Sequence, residues 1–195
     1  PYAWEPEKGA YVGVMKRNGS AKDLVWFRAE SCYVFHVMNA WEEGNLIVAD
    51  VMQFEEAPLF THPDGSKTDP VKSRARYCRW TFDLAGNTDR FTQTYLENDL
   101  TGEFPRIDDR RAGLKSAHGW YACANHDLPF IGALSGIVHV DGKGSRLGNY
   151  LLPAGDTISE PVFVERAKDA AEGDGWLLAA VWRARENRSD LAVFN

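Results

Sequence analysis

The chain has 195 residues, of which 44% are hydrophobic, enough for one sizeable core and too apolar for extended disorder. Its formal net charge of -6 excludes a nucleic-acid partner, because phosphate binding needs a basic surface. No apolar run approaches 18 residues, so the sequence contains no transmembrane segment.

The N-terminus, PYAWEPEKGA, lacks the basic region and apolar block of a signal peptide, and it does not begin with Met. A processed product or a piece of a longer protein is the expectation. The three cysteines, Cys32, Cys78 and Cys123, form no C-x-x-C pair, which excludes a zinc ribbon or a thioredoxin-like motif. An odd number of thiols in this pattern suits a reducing compartment, so the expected location is cytoplasmic.

In chain order, strand signals dominate. Residues 11–15 and 24–27 read as strands separated by the turn cluster KRNGS. Residues 32–38 follow, then a turn at 43–45, a strand over 46–52 and a polar loop over 61–70. Residues 75–83 set Tyr77, Arg79 and Thr81 against Cys78, Trp80 and Phe82, the period-2 pattern of a half-buried strand. Further strands are predicted at 90–96, 120–124, 136–141, 146–152, 161–164, 176–182 and 190–194, with turns such as Asp141-Gly142 and Asp174-Gly175 between them. Only residues 167–172 suit a helical turn.

Many short strands at even spacing mean an all-β sandwich, barrel or propeller. The cysteines lie 46 and 45 residues apart, close to the length of a four-stranded blade, which favours a propeller of three to four blades. So few blades would leave open edges, so the chain reads as a single segment, residues 1–195, of a larger ring.

One residue breaks the pattern. His36 sits inside the apolar stretch CYVFHVMN. From the residues alone, two readings stay open: a core imidazole bonded to a backbone carbonyl, or a rigid strand-borne metal ligand. There is no H-x-H or H-E-x-x-H motif, and the next histidine, His62, is in a Pro-Asp-Gly loop. Cys32 is not a companion ligand, since Cα atoms four residues apart on a strand are about 13 Å apart; it reads as a small core residue. His62 and His126 read as turn residues, His139 as solvent-facing, and His118 is the least certain of these. Glu103 alone reads as a surface acid at a strand end, and Glu160 as an acid in a turn before Pro161.

The motifs carry a resemblance. GVMKR at 13–17, AKDLVWF at 21–27 and CYVFHVMNAWE at 32–42 resemble the carotenoid cleavage oxygenase family, which includes the bacterial lignostilbene dioxygenases. RWTFDL at 79–84, GEFPRI at 102–107, SEPVFV at 159–164, GDGWLL at 173–178 and SDLAVF at 189–194 continue it in family order. The resemblance implies a seven-bladed propeller in which four histidines hold a non-haem Fe(II). His36 matches the third, the first two would precede Pro1, and the fourth would follow Asn195. It implies that Glu103 stands behind His36 and that Glu160 stands behind the absent fourth histidine, each fixing a tautomer by accepting the distal N–H.

The implied activity is O2-dependent cleavage of a conjugated alkene, stilbene or apocarotenoid, to two carbonyl products. The style of the sequence is nearer the lignostilbene-type members. Phe54 and Phe60 are candidates to line an apolar substrate path, with core packing as the alternative for both. The partners implied are O2, the substrate and the missing N-terminal half of the same protein. The competing expectation is a non-catalytic propeller fragment, or part of a split protein, with an incomplete metal site.

Overall fold

The computed structural model describes residues 2–124 and 134–195. The architecture is all-β and antiparallel. β1 (Ala10–Val14) and β2 (Val25–Ala29) form a two-stranded sheet. The first four-stranded sheet runs in order β3 (Tyr33–Glu43), β4 (Leu46–Phe54), β5 (Arg76–Asp83) and β6 (Thr92–Tyr95). The second repeats that meander with β7 (Thr101–Arg106), β8 (His118–Ala124), β9 (Gly136–Asp141) and β10 (Arg146–Leu151). In the third, the short β11 (Thr157–Ile158) and β12 (Val162–Glu165) share one side of β13 (Gly175–Arg183), and β14 (Arg188–Phe194) pairs with the other. Helical structure among the described residues is limited to 3-10 turns at Pro6–Lys8, Ala21–Asp23 and Asp109–Arg111. None is long and apolar enough to cross a membrane. Residues 167–172, where a helical turn was expected, form irregular turns.

Local chemistry explains the hairpins. Glu43 pairs with Leu46, leaving Gly44-Asn45 as a two-residue loop, and Gly44 supplies the φ of +64° that such a turn requires. Between β9 and β10, Asp141 Oδ1 accepts from the Lys143 and Ser145 amides and closes the turn.

The sheets stack face to face, and the period-2 alternation sends successive side chains into two different cores. On β5, Cys78 packs with Phe27, Val51, Phe82 and Phe91 toward the two-stranded sheet. Its neighbour Tyr77 packs with Met52, Tyr121 and Val138 toward the second sheet. On β8, Tyr121 and Cys123 face the first sheet, whereas Trp120 and Ala122 join Ile158, Ala179 and Val181 of the third. The half-buried reading of β5 is thereby corrected: Tyr77 and Cys78 are both buried, because the sheet is covered on both faces.

One polar cluster crosses the first interface. Asp50 accepts from Tyr77 Oη at 2.6 Å and from Arg79 Nε and Nη2 at 2.7 and 2.8 Å, and Arg79 reaches the Gly142 carbonyl of the second sheet at 3.2 Å.

The cysteine spacing is also corrected as a blade repeat. Cys32 precedes β3, Cys78 is on the third strand of the same sheet, and Cys123 is on the second strand of the next. Equivalent positions in a repeat would occupy equivalent strands; these do not. The stacked four-stranded sheets are blade-like for another reason, the repeated meander itself. β7 and β11 were not anticipated. Gly102 and Pro105 break the apolar pattern of the first, and two residues are too few to show one in the second.

Candidate metal centre

His36 lies on β3, the leading strand of its sheet, where the ladder to β4 is irregular between Val34 and Val37 and again between Val37 and Asn39. Glu103 lies on β7, the leading strand of the next sheet, where pairing with β8 is irregular between Glu103 and Arg106. Bulges of this kind turn side chains away from the normal pleat. Here they aim two side chains from adjacent sheets at each other. His36 Nδ1 and Glu103 Oε2 are 2.6 Å apart, a short contact of the charge-assisted type.

The two partners differ in environment. The Glu103 side chain is 7% exposed and that of His36 is 43% exposed. Glu103 Oε2 also accepts from the Phe104 amide at 3.1 Å, while Oε1 is buried without a hydrogen bond. Burial pushes the Glu103 carboxyl above the usual carboxylate range, and the His36 and Phe104 hydrogen bonds oppose that shift. Phe104 itself holds a φ of +55°, a left-handed conformation costing on the order of 1 kcal/mol for a bulky side chain. Its ring centroid is 4.8 Å from that of His36 and closes one side of the imidazole.

A carboxylate accepting at Nδ1 keeps the proton there and leaves the Nε2 lone pair free. Nε2 takes no hydrogen bond from another described residue. The imidazole therefore has the tautomer and exposure of a metal ligand, and the core-carbonyl alternative does not describe it. Among the described residues no group of three or more His, Cys, Asp or Glu side chains converges as a metal site. His36 presents one imidazole nitrogen whose chemistry fits a metal ion.

Glu160, in the connection from β11 to β12, accepts from Arg106 Nη1 at 3.1 Å and is half-exposed. It shares with His36 and Asn39 the lining of a cavity of mixed character of about 360 Å³. On the other side of His36 is an apolar cavity of about 390 Å³, walled by Phe35, Phe54, Leu59, Phe104, Leu134 and Ile158. Phe54 is fully buried and reaches this wall. Phe60 stands behind it, its ring 5.7 Å from Tyr33, which in turn contacts Phe35 at 4.7 Å.

The other histidines lie elsewhere. His62 is in its polar turn, 3.7 Å from Glu56. His126 lies outside the described residues. The expectation that His139 faces solvent is corrected: it is half-buried, stacked 5.1 Å from Trp120, with Nε2 2.9 Å from His118 Nδ1. The neighbouring strand β8 supplies this cover, which the local sequence does not show. Cys32 is only partly buried; its thiol, in contact with Gln93, is pushed up to about 11 by burial. All three cysteines are free.

Sequence reasoning missed Asn39. It is 7% exposed and bonds through its amide to the turn at residues 111–114. A buried amide three residues from the histidine, within an otherwise apolar strand, was the available signal.

Blade-like sheets whose leading strands place a histidine against a buried carboxylate define a propeller-type protein. The chain belongs to the RPE65/carotenoid oxygenase family: the family described as "Retinal pigment epithelial membrane protein" matches residues 1–195. It is 37% identical over 202 residues to isoeugenol monooxygenase of Pseudomonas putida, covering 100% of this chain and 42% of that protein. It is 35% identical over 198 residues to lignostilbene-alpha,beta-dioxygenase isozyme III of Sphingomonas paucimobilis, covering 95% and 40%. The structure resembles the lignostilbene dioxygenase of Pseudomonas brassicacearum with a TM-score of 0.90 and 29% identity over 99% of this chain and 42% of that one. Cobalt-substituted ACO of Synechocystis follows at a TM-score of 0.81 and 26% identity, covering 97% and 39%. The chain thus spans about 42% of the length of such relatives.

Proposed function

We propose that this chain is the His36-bearing part of a non-haem Fe(II)-dependent dioxygenase that cleaves a conjugated alkene. Alkene carbons and dioxygen balance simply: R–CH=CH–R′ and O2 become R–CHO and R′–CHO. The carrying observation is the His36 Nδ1–Glu103 Oε2 contact at 2.6 Å, with no hydrogen bond to Nε2 among the described residues. His36 would hold the metal through Nε2, and Glu103 would keep the Nδ1 proton in place and lend negative charge to an otherwise neutral ligand set. The metal, when bound, would supply a site at which dioxygen and the alkene meet. A cobalt-substituted relative among the similar structures supports a metal in this fold.

The remaining ligands would come from sequence outside this chain, and Glu160 would back one of them, its Oε1 held by Arg106. The apolar cavity beside His36, with Phe35, Phe54 and Phe104 on its wall, would receive the conjugated part of the substrate and exclude water. The names of the relatives favour a phenylpropenoid or stilbene over an apocarotenoid. The free thiols suit a cytoplasmic setting.

The alternative, a fragment with an incomplete site, is favoured by one observation: no three ligating side chains meet among the described residues. The test is metal analysis of the full-length protein and its His36→Ala variant. Loss of bound iron in the variant is expected; iron retained at the wild-type ratio refutes the assignment.

A further inference from the structure

The His36–Glu103 contact joins two sheets at points where neither strand is held by a regular ladder. Something else must keep β3 and the segment following β7 at a fixed separation. We propose that Asn39 does so, as a positioning residue for the pair. The inference rests on the reading of His36 as a metal ligand.

Asn39 sits where the β3 ladder resumes, opposite Asp50. Its Nδ2 donates to the Leu114 carbonyl at 2.8 Å and to the Arg111 carbonyl at 3.4 Å, and its Oδ1 accepts from the Gly113 amide at 3.1 Å and the Ala40 amide at 2.9 Å. Residues 111–114 form a turn closed by the Leu114 amide on the Arg111 carbonyl at 2.9 Å, with Gly113 at a φ of +79°. One side chain therefore holds three backbone groups of the turn.

That turn is joined to Glu103 along the chain, where Arg106 Nη2 reaches Asp109 at 3.4 Å and Asp108 caps the 3-10 turn Asp109–Arg111. The links Glu103, residues 106–111, the turn, Asn39, β3 and His36 close a ring whose last bond is the 2.6 Å contact. Only an amide of this length fits. An aspartate has no donor and would face two carbonyls, and a leucine makes none of the bonds. Aspartate loses both donated bonds and leucine loses all four, so either change loosens the tie between β3 and the turn and lets the two halves of the ring move apart.

The test uses the full-length protein loaded with cobalt, with variants Asn39→Asp, Asn39→Leu, His36→Ala and Phe82→Leu. Phe82 is buried between the first sheet and the two-stranded sheet, in a core that does not include Phe104, and serves as a stability control. The readouts are the visible cobalt bands, the rate of cobalt release to a chelator, and the thermal midpoint. Both Asn39 variants are expected to shift the bands and release cobalt about tenfold faster or more. Phe82→Leu is expected to lower the midpoint while leaving bands and release rate at the wild-type values. Should Asn39→Leu fail to fold, the isosteric Asn39→Asp carries the test. Wild-type bands and release in the Asn39 variants, with cobalt lost in His36→Ala, overturn this inference alone. Cobalt retained in His36→Ala overturns the ligand reading and this inference with it.

Discussion

Replacing Glu103 by Gln separates metal holding from folding, because the two respond in opposite directions. Glu103 Oε2 accepts from both His36 Nδ1 and the Phe104 amide. A glutamine must therefore keep its oxygen at that position, since its NH2 there would meet the Phe104 N–H. The imidazole tautomer survives, but a neutral acceptor replaces a charged one. Metal affinity in the full-length protein should fall about 10- to 100-fold, or about 1.4 to 2.7 kcal/mol.

Stability of the metal-free protein should not fall with it. Burial raises the Glu103 carboxyl in the folded state, so that group contributes stability below its ordinary pKa and loses it as pH rises through the raised value. At neutral pH the buried carboxylate is a cost, which glutamine removes. The Oε1 position is unpartnered in either residue, so that term nearly cancels. The assays are competitive metal titration against a chelator and urea unfolding of the metal-free protein at pH 7.5. Unchanged metal affinity would refute the role of Glu103. Destabilisation of the metal-free variant by more than about 2 kcal/mol would show that the His36–Glu103 hydrogen bond is primarily structural.

Asp50→Ala should cost about 3 kcal/mol or more, because it strands the Arg79 guanidinium and the Tyr77 hydroxyl at a buried interface; urea midpoints within experimental error of wild type would contradict this. Burial and the neighbouring His118 hold His139 below the usual histidine range. That stability is complete above pH 6.5, the ordinary value, and is lost as pH falls through the lowered one, so the wild type should weaken between pH 7.5 and 5 more than His139→Gln. The 195-residue chain purified alone should bind a hydrophobic dye and show no alkene cleavage, given Trp26 at 57%, Leu191 at 73% and Val193 at 61% exposure. Stoichiometric iron together with aldehyde products from it would exclude the fragment alternative's premise.

The positions of most strands and turns, β7 and β11 excepted, were legible in the sequence, because side-chain alternation and the chemistry of Gly, Asn and Asp act over a few residues. So was the anomaly of His36 among apolar neighbours, and motif resemblance paired it with Glu103. Composition and periodicity could not place these two in contact. They are 67 residues apart, and each is aimed by a bulge whose existence depends on the partner strand. The same limit explains the misread burial of Tyr77, Cys78 and His139: a strand's own pattern does not reveal whether a second sheet covers its other face. It also explains why evenly spaced cysteines suggested a repeat that the strands do not share. Local propensity determined the elements, and the stacking of sheets distant in sequence decided which side chains meet.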